Sequence, residues 1–165
     1  MSATRTPPLY PDAVTLRPGV AADRLLGRID ASPGCSIKDS YADLALAAAG
    51  FEVLFEAEWV GRPSTSELPR GGLEFQVVRR DGADVAYLST ADGGVSVVGN
   101  RSGEVVGLSN LSTGTDEAWA GAIRALAHCW PGLPMVGYER GDELAAAHRA
   151  GFESLGPLRV WHLEG

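Results

Sequence analysis

Residues 104–165, EVVGLSNLSTGTDEAWAGAIRALAHCWPGLPMVGYERGDELAAAHRAGFESLGPLRVWHLEG, decide the fold. The stretch reads as strand, polar turn, amphipathic helix, strand, short helix, strand. Trp119, Ala122, Ile123, Leu126, Ala127 and Trp130 fall on one side of a helix over 116–129, since positions three and four apart share a face. Asp116 and Glu117 stand in its first turn, where carboxylates suit the positive end of the helix dipole. Thr113 and Asp116 have capping-box spacing, Pro131-Gly132 stops the helix, and Arg124 and His128 are expected toward water. A helix start holds backbone N–H groups that suit an anion. The junction Ser112-Thr113-Gly114-Thr115-Asp116 is therefore the first place to look for an anionic ligand.

Residues 133–138 form a short apolar run, read as a buried strand. An Ala-rich helix follows, with Asp142 as the expected N-cap. Gly151 closes it in the left-handed conformation, with Phe152 packing back on the last turn. Residues 154–163 form the closing strand, interrupted at Gly156-Pro157.

Upstream, residues 1–12 are Pro-rich and polar and read as a flexible tail. A short strand at Val14-Thr15-Leu16, a helix over 20–29, a strand over 35–38 and a helix over 40–49 ending at Gly50 are expected next. Residues 51–60 form a strand whose second half alternates, with Phe55, Ala57 and Trp59 on one side and Glu56 and Glu58 on the other. The Pro-, Ser- and Gly-rich loop over 61–72 is the best internal break. Strands over 73–79, 84–90, 94–99 and 104–111, separated by Asp-Gly and Gly-rich turns, make an antiparallel meander. The sequence AGFE occurs at 49–52 and again at 150–153. Each copy follows an Ala-rich segment and precedes a Trp-bearing strand. A generic helix C-cap and a structural repeat both fit this echo.

The chain of 165 residues suits one domain over 13–165, made of a part over 13–60, the loop over 61–72 and a core over 73–165. Net charge is −7 with no basic cluster, which argues against nucleic-acid and anionic-membrane partners. No apolar stretch approaches the roughly 18 residues of a membrane span, and the start has no signal-peptide core. Cys35 and Cys129 lie far apart without a CxxC pattern, so reduced thiols and a cytoplasmic setting are expected. Lys38 is the sole lysine among many arginines, a composition typical of GC-rich bacterial genomes. His128, His162 and Cys129 lack metal-ligand spacing, so no metal is expected.

The order of elements resembles that of the GCN5-related N-acetyltransferases (GNAT) over about residues 73–163. Val105-Val106-Gly107, the helix over 116–129, the strand over 133–138 and the helix over 144–152 ending in Gly151-Phe152 carry the likeness. The resemblance implies an α/β (α+β) fold with a mixed, largely antiparallel central sheet and flanking helices, of acyl-CoA N-acyltransferase type. It implies acetyl-CoA or another acyl-CoA as cofactor and a small-molecule amine as acceptor. The pantetheine arm would follow Leu108, Asn110 and Leu111, and the pyrophosphate would sit on Ser112, Thr113, Gly114 and Thr115. The loop departs from the family pattern in having one glycine and no arginine. Ala147 stands where the family often carries a tyrosine acid, and the position near Arg140 where it carries an asparagine.

Amine acetylation needs a base for the ammonium proton. Glu56 and Glu58 are candidates, with a solvated outer strand face as the competing reading. Tyr138 is the candidate acid, ahead of His148. Two functions follow: acyl transfer from acyl-CoA to a small amine, or a non-catalytic binding module of the same fold that has lost standard CoA binding. Exchange of a Trp-bearing terminal strand would give a homodimer.

Overall fold

The computed structural model describes residue 6 and residues 10–165, so most of the expected tail lies outside the described residues. The elements in chain order are β1 (Ala13–Val14), α1 (Ala22–Leu26), β2 (Ser36–Asp39), β3 (Glu52–Arg62), β4 (Phe75–Asp81), β5 (Val85–Thr90), β6 (Ser96–Ser102), β7 (Val105–Ser109), α2 (Asp116–Cys129), β8 (Met135–Glu139), α3 (Gly141–Arg149) and β9 (Glu153–His162). The chain forms two compact units: residues up to 57 together with 156–165, and residues 58–155.

In the first unit the strands run in the order β1-β2-β9-β3, with β1 parallel to β2 and β2 antiparallel to β9. Cys35, Ile37, Leu44, Leu46, Phe51 and Trp161 form its core. The helix expected over 40–49 is absent apart from a 3-10 turn at Ala47–Ala49. The fully buried Asp39 explains this. Its carboxylate accepts from the N–H of Tyr41 at 3.3 Å and of Leu44 at 2.9 Å, and Ser40 N–H donates to Thr15 Oγ1 at 2.8 Å. Leu44 N–H, which a helix would give to the Ser40 carbonyl, is thus taken by the Asp39 side chain, and Ala42 turns left-handed at φ 52. The helix expected over 20–29 shortens to α1.

In the second unit the order is β3-β8-β7-β6-β5-β4. Neighbours are antiparallel except for the parallel pair β7–β8. The expected meander is therefore present, with slightly shifted ends. Trp119, Ala122, Ile123 and Leu126 of α2 pack with Val60, Leu88, Val97, Val106 and Leu108 of the sheet. Fully burying each large apolar side chain contributes about 1.5–3 kcal/mol. The ring of Trp119 meets Phe152 edge-on at 5.3 Å. Thr115, rather than Thr113, is the N-cap of α2, accepting from Ala118 N–H at 3.3 Å. Arg140 occupies the N-cap position of α3 without a side-chain bond. Asp142 thus acts on α3 through the dipole and not as a cap. β9 runs unbroken through Gly156-Pro157. There Gly156 takes φ 149, a conformation that suits glycine.

The AGFE echo has a common geometry. Gly50 and Gly151 are both left-handed, at φ 85 and φ 87, and each donates to the carbonyl three residues back. Phe51 and Phe152 each donate to the carbonyl five residues back, and both side chains are buried. This is a helix-end motif in which glycine supplies the turn and the next apolar residue packs against the preceding segment.

A cleft where two parallel strands part

The candidate site lies in the second unit, at the C-terminal ends of β7 and β8. These strands pair only at Val106↔Met135 and Gly107↔Val136. Beyond that point β7 continues with β6, up to Val98↔Ser109, and β8 continues with β3, up to Glu58↔Glu139. Gly137 marks the parting point: a Cβ there would stand 3.0 Å from the Leu108 carbonyl oxygen. Asn110 then turns left-handed at φ 54, a conformation that asparagine tolerates better than most residues, and carries the chain into the Ser112–Thr115 loop.

A Cβ added to Gly114 would meet only Glu143 Cγ at 3.7 Å and Ala146 Cβ at 3.9 Å. The start of α2 supplies N–H groups and the positive end of a dipole. Asp116, whose carboxylate would repel a phosphate, is engaged by Arg149 at 2.9–3.0 Å. Ser112 supports the loop by exchanging two bonds with Ser96, each at 3.0 Å. The diverging strands and the helix start are where the family resemblance puts a pantetheine arm and a phosphate. Glu143 and Glu117 oppose that charge, and among the described residues no arginine or lysine comes within 4 Å of a Cβ added at Gly114.

Carboxylates gather at the mouth. Glu58 and Glu139 are direct cross-strand partners, so their side chains leave the same sheet face. Burial, reinforced by Glu143, raises the Glu139 carboxyl from 4.5 to about 6. Ser154 Oγ donates to Glu58 Oε2 and lies 3.1 Å from His148 Nε2. Tyr138 is on the opposite face, where it pairs with Trp59 in register and meets its ring edge-on at 5.6 Å. Burial and the neighbouring Glu139 raise its phenol. Glu56 belongs to the first unit and pairs with Arg159, whose Nε stands 2.9 Å from Glu56 Oε1.

Of the residues singled out from sequence, the structure gathers Glu58, Leu108, Asn110 and Ser112–Thr115 around this end of the sheet. It engages Glu56 elsewhere and turns Tyr138 to the other face. Glu139 is the residue that sequence reasoning missed. Its signal was a carboxylate directly after an apolar strand, at the end where parallel strands present their ligand sites. Ala147, where an acid tyrosine would stand, is fully buried in the core. Among the described residues no three metal-ligating side chains cluster, and no helix is long and apolar enough to cross a membrane.

No protein-family model matches the chain, and no curated protein matches its sequence. Solved structures do match. A GNAT-family protein from Novosphingobium aromaticivorans superposes with TM-score 0.53 at 9% identity, covering 82% of this chain and 77% of its own. A GCN5-related N-acetyltransferase from Sphaerobacter thermophilus gives 0.52 at 7% identity, over 87% of this chain; the chain spans 64% of that protein's length. A functionally unknown conserved protein from Staphylococcus epidermidis gives 0.53 at 10% identity, covering 79% and 73%. At such identities the likeness is one of fold: the chain has the α/β fold of the GNAT acetyltransferases, with a mixed sheet whose neighbours are mostly antiparallel.

Proposed function

We propose that this GNAT-fold chain is an N-acyltransferase that takes an acetyl or other acyl group from acyl-CoA and passes it to a small-molecule amine. The observation that carries the reading is the parting of β7 from β8 after two paired positions, with Glu58 and Glu139 at the mouth. When bound, the acyl-CoA supplies a thioester carbonyl as electrophile. The chain's own part is to bind, orient and move a proton. Backbone groups of Leu108 to Leu111 line the acyl end, where an N–H can meet charge growing on the carbonyl oxygen. Ser112, Thr113, Gly114 and Thr115 lie where the phosphates would be held, at the start of α2. The acceptor arrives as an ammonium and attacks as a free amine, so a base must take its proton. Glu139, with its carboxyl raised to about 6, is ionised at neutral pH and is a stronger base than an ordinary glutamate. Glu58 stands beside it, held by Ser154.

Release of free thiol from acetyl-CoA over a panel of amines tests the reading. Glu139→Gln and Glu58→Gln should each lower kcat by roughly 10²–10³-fold while the KM for acetyl-CoA stays near wild type, the scale of general-base catalysis. The rate should rise with pH through about 6 and level off, and Glu139→Gln should remove that rise. Turnover untouched by either substitution would contradict these roles. A second reading, a non-catalytic binding module, is favoured by one observation: Ala147 is buried and offers no acid for the departing thiolate.

A further inference from the structure

Away from the parting strands, α2, the edge strand β4 and the segment over 68–74 border a half-open cavity of about 660 Å³. The segment is strapped to α2: Leu73 N–H donates to the Glu117 carbonyl at 2.9 Å, and Arg124 Nη1 donates to the Gly71 carbonyl at 2.7 Å. The contact is too close for side chains, since a Cβ on Gly121 would stand 2.1 Å from the Leu73 carbonyl oxygen. Leu88 and Phe75 line the cavity with Ala125, where a small side chain leaves space. Leu68 and Val77, also lining residues, are 48% and 44% exposed. Arg124 and His128, one helical turn apart on α2, supply the cationic and donor groups. Glu74 also lines the cavity, its carboxylate 3.5 Å from Arg124 and its side chain 84% exposed.

We propose that this cavity binds an amphipathic monocarboxylate, with its alkyl chain against Leu88, Phe75 and Ala125 and its carboxylate on Arg124 and His128. Ligand sites of this kind are apolar chambers of about 300–1,000 Å³ with a few polar groups that fix orientation. A guanidinium prefers a carboxylate partner, and the exposed Glu74 holds that place loosely until the ligand displaces it. This site is independent of the acyl-transfer reading and needs no acyl-CoA.

Calorimetric titration with decanoate tests the proposal, with decylamine and decanol as comparators. Wild type should bind decanoate at one site and at least about tenfold more tightly than decylamine, a gap of one decade in Kd. Arg124→Gln should erase the preference for decanoate over decanol. Glu74→Gln should tighten decanoate several-fold by removing the competing carboxylate, a gain that a damaged fold would not produce. Ala125→Phe, checked for native circular dichroism, should abolish binding by filling the chamber. Equal affinity for decanoate and decylamine, no saturable binding up to about 1 mM, the weak end of specific affinity, or Glu74→Gln weakening decanoate would each overturn the proposal.

Discussion

Glu139 shows how one residue links stability to the site. A carboxyl raised from 4.5 to about 6 by burial and by Glu143 holds its proton more tightly in the folded chain than in the unfolded one. The stability this gives is complete below about pH 4.5 and is lost as pH rises through about 6. With solvent screening allowed for at a half-buried group, the loss is about 1 kcal/mol. Glu139→Gln, neutral throughout, should therefore exceed wild type by about that amount at pH 8 and match it near pH 4 in urea titrations. An equal difference at both pH values would contradict the burial account. Glu58 was legible because alternation marks β3 from the sequence alone. Glu139 was not, because its significance comes from the register Glu58↔Glu139, which joins residues far apart in the chain. The opposite orientations of Glu139 and Tyr138 follow from the pleat of β8, in which successive side chains alternate; only the pairing with β3 shows which of them stands beside Glu58.

Among elements, α2 was the most legible, because its apolar stripe, acidic first turn and Pro-Gly stop agree with one another. The segment over 40–49 was illegible for a definite reason. Its Ala-rich composition favours helix, but one buried carboxylate, Asp39, takes the Leu44 N–H that a helix would give to Ser40. The cap of α2 gives a direct check: Thr115→Ala should cost about 1 kcal/mol in chemical denaturation, as loss of an N-cap does, whereas Thr113→Ala should cost much less. Gly121 sets two effects against each other. Alanine there would gain about 1 kcal/mol of helix propensity, but its Cβ would stand 2.1 Å from the backbone oxygen of Leu73. Overpacking against backbone typically costs 1–3 kcal/mol, so the clash should win. Gly121→Ala is expected to destabilise the protein and to loosen the strap over 68–74, seen as faster amide exchange at Leu73. A more stable variant would contradict the close approach.

At the scale of the whole molecule, the likeness to GNAT structures is carried by element order, which survives at identities of 7–10%. The sequence preserved enough of that order for the fold to be read from strand–helix alternation after the meander. The surface charge was legible too: net −7, with Glu117, Glu139 and Glu143 near the cleft. An acidic protein repels an anionic ligand over the Debye length, which falls from about 10 Å at 0.1 M salt to about 3 Å at 1 M. Affinity for acetyl-CoA should therefore rise, not fall, as salt increases over that range, and a steep fall would contradict this by pointing to a cationic phosphate site. The central claim, that the cleft between β7 and β8 takes an acyl-CoA, is tested most directly by calorimetric titration of wild type and Gly114→Glu with acetyl-CoA. A Cβ at Gly114 meets only ordinary contacts, so the variant should fold and add a carboxylate at the start of α2. The account predicts one-site binding to wild type and its loss in the variant; no binding to wild type at about millimolar acetyl-CoA, the weak end of specific affinity, would contradict it.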